Sequence, residues 1–264
     1  MAHAKHAEEV AHAVEVVDQF TRQAAGFARS ATARNQEILD QIVRMAEPYS
    51  SDEMLDVACG PGLLAAAFAP HVRQATGIDL TPAMLDQARR LQHEQQLANV
   101  SWVQGDVTAL PWSEASFDIV TCRFAFHHFP NPLAVLNEMR RVCRPGGRVL
   151  VADSAPSAAK ADTFNAMEKM RDPSHTRALP IEELLVLFTA AGLTEPRVER
   201  FRLALDLDAF LARSYPREGD ETKIRAMFTE ALKNDTMDLE PRREGNSIAF
   251  SVPGAVVVSR VAHG

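Results

Sequence analysis

Five short apolar runs, at 54–57, 75–80, 100–104, 117–123 and 148–153, alternate with helical segments through the middle of the chain. Tight hairpins join antiparallel strands, whereas a helix between successive strands is the crossover that a parallel sheet requires. The rhythm therefore specifies an α/β fold: a mostly parallel sheet with helices on both faces and ligands at the carboxyl edge of its strands. Acids gather at that edge. Asp56 lies in the first run, Asp79 and Asp153 near the ends of the second and fifth, and Asp106 just past the third.

The first turn is the most informative. In M-L-D-V-A-C-G-P-G-L-L, residues 54–64, an apolar strand leads into Gly60 and Gly62, and an alanine-rich helix follows at once. Glycines there let a ligand lie on the backbone, and the helix start offers unpaired N–H groups. Asp56 suits a cationic group on that ligand and would be a poor neighbour for a pyrophosphate. Asp79 follows the turn by about 20 residues, the interval at which a βαβ unit sets a carboxylate against ribose hydroxyls. Thr81 and Pro82 supply the next helix start and leave Asp79 for the ligand. Met84 and Leu85, one turn on, are placed to cover a flat ring.

With 264 residues the chain can bury a proper core, and 46% hydrophobic with 24% charged residues is the balance of an ordinary soluble globular protein. The net charge of −7 argues against nucleic acid as a partner. Cys59, Cys122 and Cys143 form no C-x-x-C pair, which points to reduced thiols, no metal site and a cytoplasmic setting. The start lacks an apolar leader, and no run reaches membrane-spanning length. His3, His6 and His12 alternate with alanine and glutamate and are expected to decorate a frayed helix face rather than hold a metal.

The flanks are helical. Residues 8–46 have a 3.6-residue period broken at Gly26 and at 30–35, predicting two helices that cap the core or close a lid through Phe20, Gln23 and Phe27. Beyond Ser154, helices are expected at 158–170, 181–191, 206–214 and 221–233, with a strand at 198–205. A closing hairpin interrupted by Pro253 and Gly254 is expected within 247–261. No linker marks an independent unit. Residues 1–48 read as an N-terminal helical lid, 49–156 as the binding core, and 157–264 as a lid insertion plus final strands of the same domain.

The segments L-D-V-A-C-G-P-G, T-G-I-D-L-T-P-A-M-L, Q-G-D-V-T-A-L-P, F-D-I-V-T-C-R-F-A-F-H-H-F and R-V-C-R-P-G-G-R-V-L-V-A-D together resemble the class I S-adenosylmethionine-dependent methyltransferases. Within them the likeness is to the small-molecule branch that includes the ubiquinone and menaquinone C-methyltransferases. The resemblance implies a Rossmann-like, mostly parallel seven-stranded sheet and S-adenosylmethionine as cofactor. It assigns Asp56, Ala58, Gly60 and Gly62 to the methionine part and Asp79 to the ribose. Leu80, Met84, Asp106 and Val107 would frame the adenine, and Arg123 would contribute through its backbone. Ala58 departs from the pattern by occupying the first glycine position of acid-x-G-x-G-x-G.

Methyl transfer needs alignment more than covalent chemistry, and a base only where the acceptor must lose a proton. His127 and His128 follow the fourth strand and are the candidates, His127 preferred, with Asp153 placed to orient that histidine or the acceptor. Phe20, Phe27, Arg171, His175 and Tyr215 are the candidate acceptor-binding residues: Arg171 and His175, with Arg177, could bind an acidic or phenolate acceptor or simply face solvent, and Tyr215, with Arg213, is a lid residue by position or a surface residue. The expected acceptor is a small aromatic or heterocyclic molecule methylated on oxygen or nitrogen, with carbon methylation of a quinone precursor next. G-P-G-L-L-A also fits a nicotinamide-binding turn, and a non-catalytic or repurposed cofactor-binding protein is a further alternative.

Overall fold

The computed structural model describes residues 2–30, 33–193 and 195–262, the side chains of 2–9 excepted, so His3 and His6 lie outside the described side chains. Its helices are α1 (Ala2–Arg29), α2 (Gln36–Ala46), α3 (Leu63–Phe68), α4 (Pro82–Glu94), α5 (Pro132–Val142), α6 (Ala161–Arg171), α7 (Ile181–Ala190), α8 (Leu207–Ala212) and α9 (Asp220–Ala231). The strands are β1 (Glu53–Val57), β2 (Gln74–Asp79), β3 (Val100–Gln104), β4 (Phe117–Arg123), β5 (Cys143–Ser154), β6 (Arg197–Asp206), β7 (Arg242–Glu244) and β8 (Ser247–Arg260).

One sheet runs in the order β3-β2-β1-β4-β5-β8-β6, with the three-residue β7 paired to β8 as an eighth strand. The first five strands are parallel, and β8 is antiparallel to both β5 and β6. The order reverses between β1 and β4, which opens a crevice at their carboxyl ends. Period-two alternation divides the core. Met54, Ile119 and Leu150 face a layer built by α2, α3, α6, α8 and α9, while Leu55, Val120 and Val149 face α5 and α7. The helices of 1–48 separate accordingly: α2 buries Ile38, Leu39 and Ile42 in the first layer, whereas α1 packs against α4 across the crevice.

Two expectations are corrected. Helix α1 continues through Gly26 and ends at Arg29, and the Asn35 side chain accepts from Ile38 N at 3.1 Å to start α2. Residues 247–260 form one continuous strand rather than a hairpin. The Pro253 carbonyl accepts from Ala155 N just past the end of β5, so its missing N–H lies on that side and the ladder to β6 loses nothing. The hairpin is instead β7–β8, closed at Glu244 and Ser247 around Gly245 with φ +60°. Among the described residues no helix is long and apolar enough to cross a membrane.

Candidate active site

The loop after β1 is left-handed at three alternate residues: Ala58 (φ +53°), Gly60 (φ +53°) and Gly62 (φ +77°). For Ala58 this backbone costs about 1–2 kcal/mol, which explains why glycine is the usual occupant and alanine a tolerable one. The two glycines differ. A Cβ at Gly60 meets nothing within 4 Å, and this residue faces the crevice. At Gly62 a Cβ would run into the Trp102 ring, so Gly62 serves helix–sheet packing and does not line the crevice.

Asp79 ties this loop to the next strand. Its Oδ2 accepts from Gly60 N and its Oδ1 from Thr81 N, both at 2.8 Å. Thr81 does not cap α4 with its own side chain, contrary to expectation; the Asp79 carboxylate holds that turn. Burial pushes the Asp79 carboxyl up, and its amide partners oppose this. Asp106 accepts from Thr108 N and Thr108 Oγ1 through Oδ1 alone. Asp56 is 1% exposed, accepts from Thr121 Oγ1 at 3.0 Å, and is pushed up to about 7 by burial, with Arg123 opposing.

Arg123 lines the crevice, and its guanidinium is buried near Asp56. Its Nη2 donates to Ala33 O at 3.0 Å, while Nη1 is buried with no partner among the described residues. Such an orphaned donor is costly without a ligand to complete it. An amino-acid end, one cation and one anion, fits the neighbouring Asp56 and Arg123.

The crevice encloses about 520 Å³, within the roughly 300–1,000 Å³ of ligand pockets. Asp56, Ala58, Asp79, Leu80, Met84, Asp106 and Val107 line it, while Leu85 is buried and does not. Helix α1 roofs it with Ala13, Val16, Phe20 and Phe27. A smaller chamber of about 130 Å³ adjoins, walled by His127, Ser154, Glu168, Arg171, Phe210 and Arg213. Phe20, Phe27, Phe124 and His128 line both spaces and form the partition. Phe124 adopts φ +54°, a strained conformation for an aromatic residue, at this partition.

The two histidines are held differently. His127 Nδ1 lies 2.6 Å from Asp153 Oδ1, and Asp153 Oδ2 also accepts from His127 N. Although burial alone would lower it, Asp153 raises the His127 pKa above 6.5. His128 donates Nδ1–H to the Ser174 carbonyl at 3.1 Å and is pushed down to about 3 by burial and by His127, so it is neutral. Its carbonyl accepts from His12 Nε2 at 2.7 Å. His12 is thus a tie between roof and partition rather than helix decoration.

Of the candidate acceptor residues, Phe20, Phe27 and Arg171 reach the smaller chamber; His175 and Tyr215 do not. His175 is 1% exposed and donates Nε2–H to Asn165 Oδ1, bracing the 172–178 connection. Tyr215 is 43% exposed and donates to the Arg22 carbonyl from outside the roof. Arg177 pairs with Asp162 and Glu183 on the surface. Glu168 and Phe210 carried no sequence signal, because their helices meet only on the finished sheet. No group of three metal-ligating side chains exists among the described residues.

Residues 55–151 match a methyltransferase domain family. Over 225 residues the chain is 31% identical to YcgJ of Bacillus subtilis (strain 168), described as an uncharacterized methyltransferase, covering 84% of this chain and 89% of that one. The crystal structure of YcgJ superposes with a TM-score of 0.80 at 27% identity, over 87% of this chain and 100% of its own. The ubiquinone/menaquinone biosynthesis C-methyltransferase UbiE of Ruegeria sp. (strain TM1040) is 34% identical over 43% of this chain and 47% of its own. With a crevice suited to a nucleoside amino acid, these similarities settle the family: the chain belongs to the class I S-adenosylmethionine-dependent methyltransferases.

Proposed function

We propose that the protein methylates an oxygen or nitrogen of a small aromatic or heterocyclic molecule seated in the smaller chamber, with His127 accepting the proton that leaves. One observation carries this reading: His127, hydrogen-bonded to Asp153, lines a chamber that shares Phe20, Phe27, Phe124 and His128 with the cofactor crevice. In the crevice, Asp79 receives the ribose hydroxyls and Asp106 the adenine amine, with Leu80, Met84 and Val107 about the ring. Gly60 and Ala58 let the backbone approach, Asp56 receives the ammonium, and Arg123 Nη1 the carboxylate. Bound there, S-adenosylmethionine supplies a methyl group made electrophilic by its sulfonium.

The chain's own contribution is alignment, dryness and one proton. Alignment of a bound pair is worth roughly 7–11 kcal/mol in well-oriented reactions. The α1 roof and the four partition residues exclude water. His127 donates Nδ1–H to Asp153, which leaves Nε2 as the atom that takes a proton, the arrangement by which a carboxylate fixes an imidazole tautomer. His128 has its Nδ1–H committed to Ser174 and too low a basicity for this work.

Family membership removes the nicotinamide alternative, and the acidic net charge of −7 favours a small acceptor over a nucleic acid. The name of the Ruegeria relative supports carbon methylation as a second reading, over the core alone. The test is turnover of methyl-labelled S-adenosylmethionine with single-ring phenols, anilines and hydroxyquinones, followed by identification of the labelled atom. Label on oxygen or nitrogen, lost in His127→Asn, supports the reading; label confined to ring carbon overturns it.

A further inference from the structure

The two arginines of the smaller chamber are unequal. Arg171 sends Nε and Nη2 to Glu168 Oε2 at 2.9 and 2.6 Å, so its charge is met. Arg213 donates Nη1 to the Ser30 hydroxyl at 2.9 Å and forms no ion pair among the described residues. Both guanidinium groups lie against one ring, Phe210, at 4.8 and 5.8 Å; of the chamber's two acids, Glu168 accepts from Arg171 and Asp172 accepts from Gln23 and Ser174, which leaves Arg213 with no carboxylate among its hydrogen-bond partners in the described residues. Burial and the neighbouring Arg171 push the Arg213 pKa down, with Glu168 opposing them. A partly buried cation in this position is unfavourable until an anion joins it.

The space available limits that anion. The chamber's volume of about 130 Å³ is close to that of a cavity of about 150 Å³ known to take one benzene ring. Phe20, Phe27, Phe124 and Phe210 give it aromatic walls, and His127 stands in the same space. Building on methyl transfer to a small acceptor there, we infer that the acceptor is a single-ring aromatic carboxylate whose acid group is held by Arg213 while its hydroxyl or amine faces His127. Arg213 thereby selects the substrate class: it favours the acid over its uncharged amide.

The test is calorimetry on the protein loaded with S-adenosylhomocysteine, titrated with hydroxybenzoate isomers, the matching hydroxybenzamides and hydroxynaphthoates. At least one hydroxybenzoate should bind about tenfold or more tightly than its amide, the scale of one charge-assisted hydrogen bond. Arg213→Gln should erase that preference and Arg213→Lys keep part of it, while S-adenosylhomocysteine affinity shows that both variants are folded. Equal binding of acid and amide, no binding of any acid, or a preference that survives Arg213→Gln would overturn the inference; naphthoates binding as tightly as benzoates would overturn its size limit. Turnover separates this result from the reading beneath it. Acids bound through Arg213 but never labelled sink the proton-transfer proposal alone, and neutral phenols labelled without acid binding sink only the role of Arg213.

Discussion

The crevice and the smaller chamber share Phe20, Phe27, Phe124 and His128, yet the rest of their walls come from different parts of the chain. The crevice takes its polar groups from strand ends between Asp56 and Arg123, fixed by the sheet register and by backbone amides such as those of Gly60 and Thr81. The chamber takes Glu168 and Arg171 from α6, Phe210 from α8, Leu203 from β6 and Val252 from β8. A ligand gripped by backbone geometry tolerates little change in the chain. A ligand gripped by side chains from scattered helices can be exchanged by substitution while the sheet stays as it is. On the proposed assignment of the two spaces, the fold keeps the cofactor constant and leaves the acceptor free to vary.

The largest test of that contrast is His127→Asn. Turnover should fall by roughly 10²–10⁴, the usual worth of a positioned base, while calorimetry shows S-adenosylhomocysteine affinity unchanged. Equal loss of both would dissolve the distinction. Asp79→Ala should act the other way and weaken S-adenosylhomocysteine on the order of 100-fold, because the proposed ribose contacts go and the N–H groups of Gly60 and Thr81 lose their acceptor. Retained affinity would remove Asp79 from the cofactor's grip.

Arg123→Met sharpens the crevice further. It should cost about tenfold to 100-fold in S-adenosylhomocysteine affinity and nothing for 5′-methylthioadenosine, which lacks the amino-acid end. Equal loss for both ligands would place Arg123 elsewhere.

Acidity separates the two spaces as well. Only the neutral His127 ring accepts a proton, so turnover should rise with pH along a limb above 6.5, and Asp153→Asn should move that limb down. The linkage sign for stability is opposite: with its folded pKa raised, the His127–Asp153 pair stabilises fully below the unfolded value and fades as pH rises through the folded one. In the crevice, S-adenosylhomocysteine should weaken below about 7 as Asp56 gains a proton and no longer attracts an ammonium. A flat binding profile would exclude Asp56 from that contact. The smallest expected effect is Gly26→Ala in α1, where a Cβ meets nothing within 4 Å; about 0.5–1 kcal/mol of added stability should appear as a small rise in Tm.

Much of the sheet was legible because its strands are buried runs bounded by turns, and the acids at their ends could be placed by counting. Three features were not. Gly26 looks like a helix breaker, but one glycine is a small penalty against the packing of a long helix. Pro253 looks like a turn, but it sits where the β5 ladder has ended. Arg123 looked like a backbone contact, and only the assembled site shows its guanidinium beside Asp56 with one nitrogen unmatched. The smaller chamber was the least legible, since Glu168 and Arg213 stand far apart in sequence and no local pattern announces their meeting.

The position of β8 has a consequence for how the molecule is made. It lies between β5 and β6, and both precede it on the ribosome. Until residues 247–260 emerge, two hydrogen-bonding edges stand open, one of them the apolar stretch Val149–Ala152, which is the kind of surface that recruits other chains. Synthesis that stalls before residue 247 therefore leaves a crevice with most of its acids in place attached to a sheet primed to aggregate.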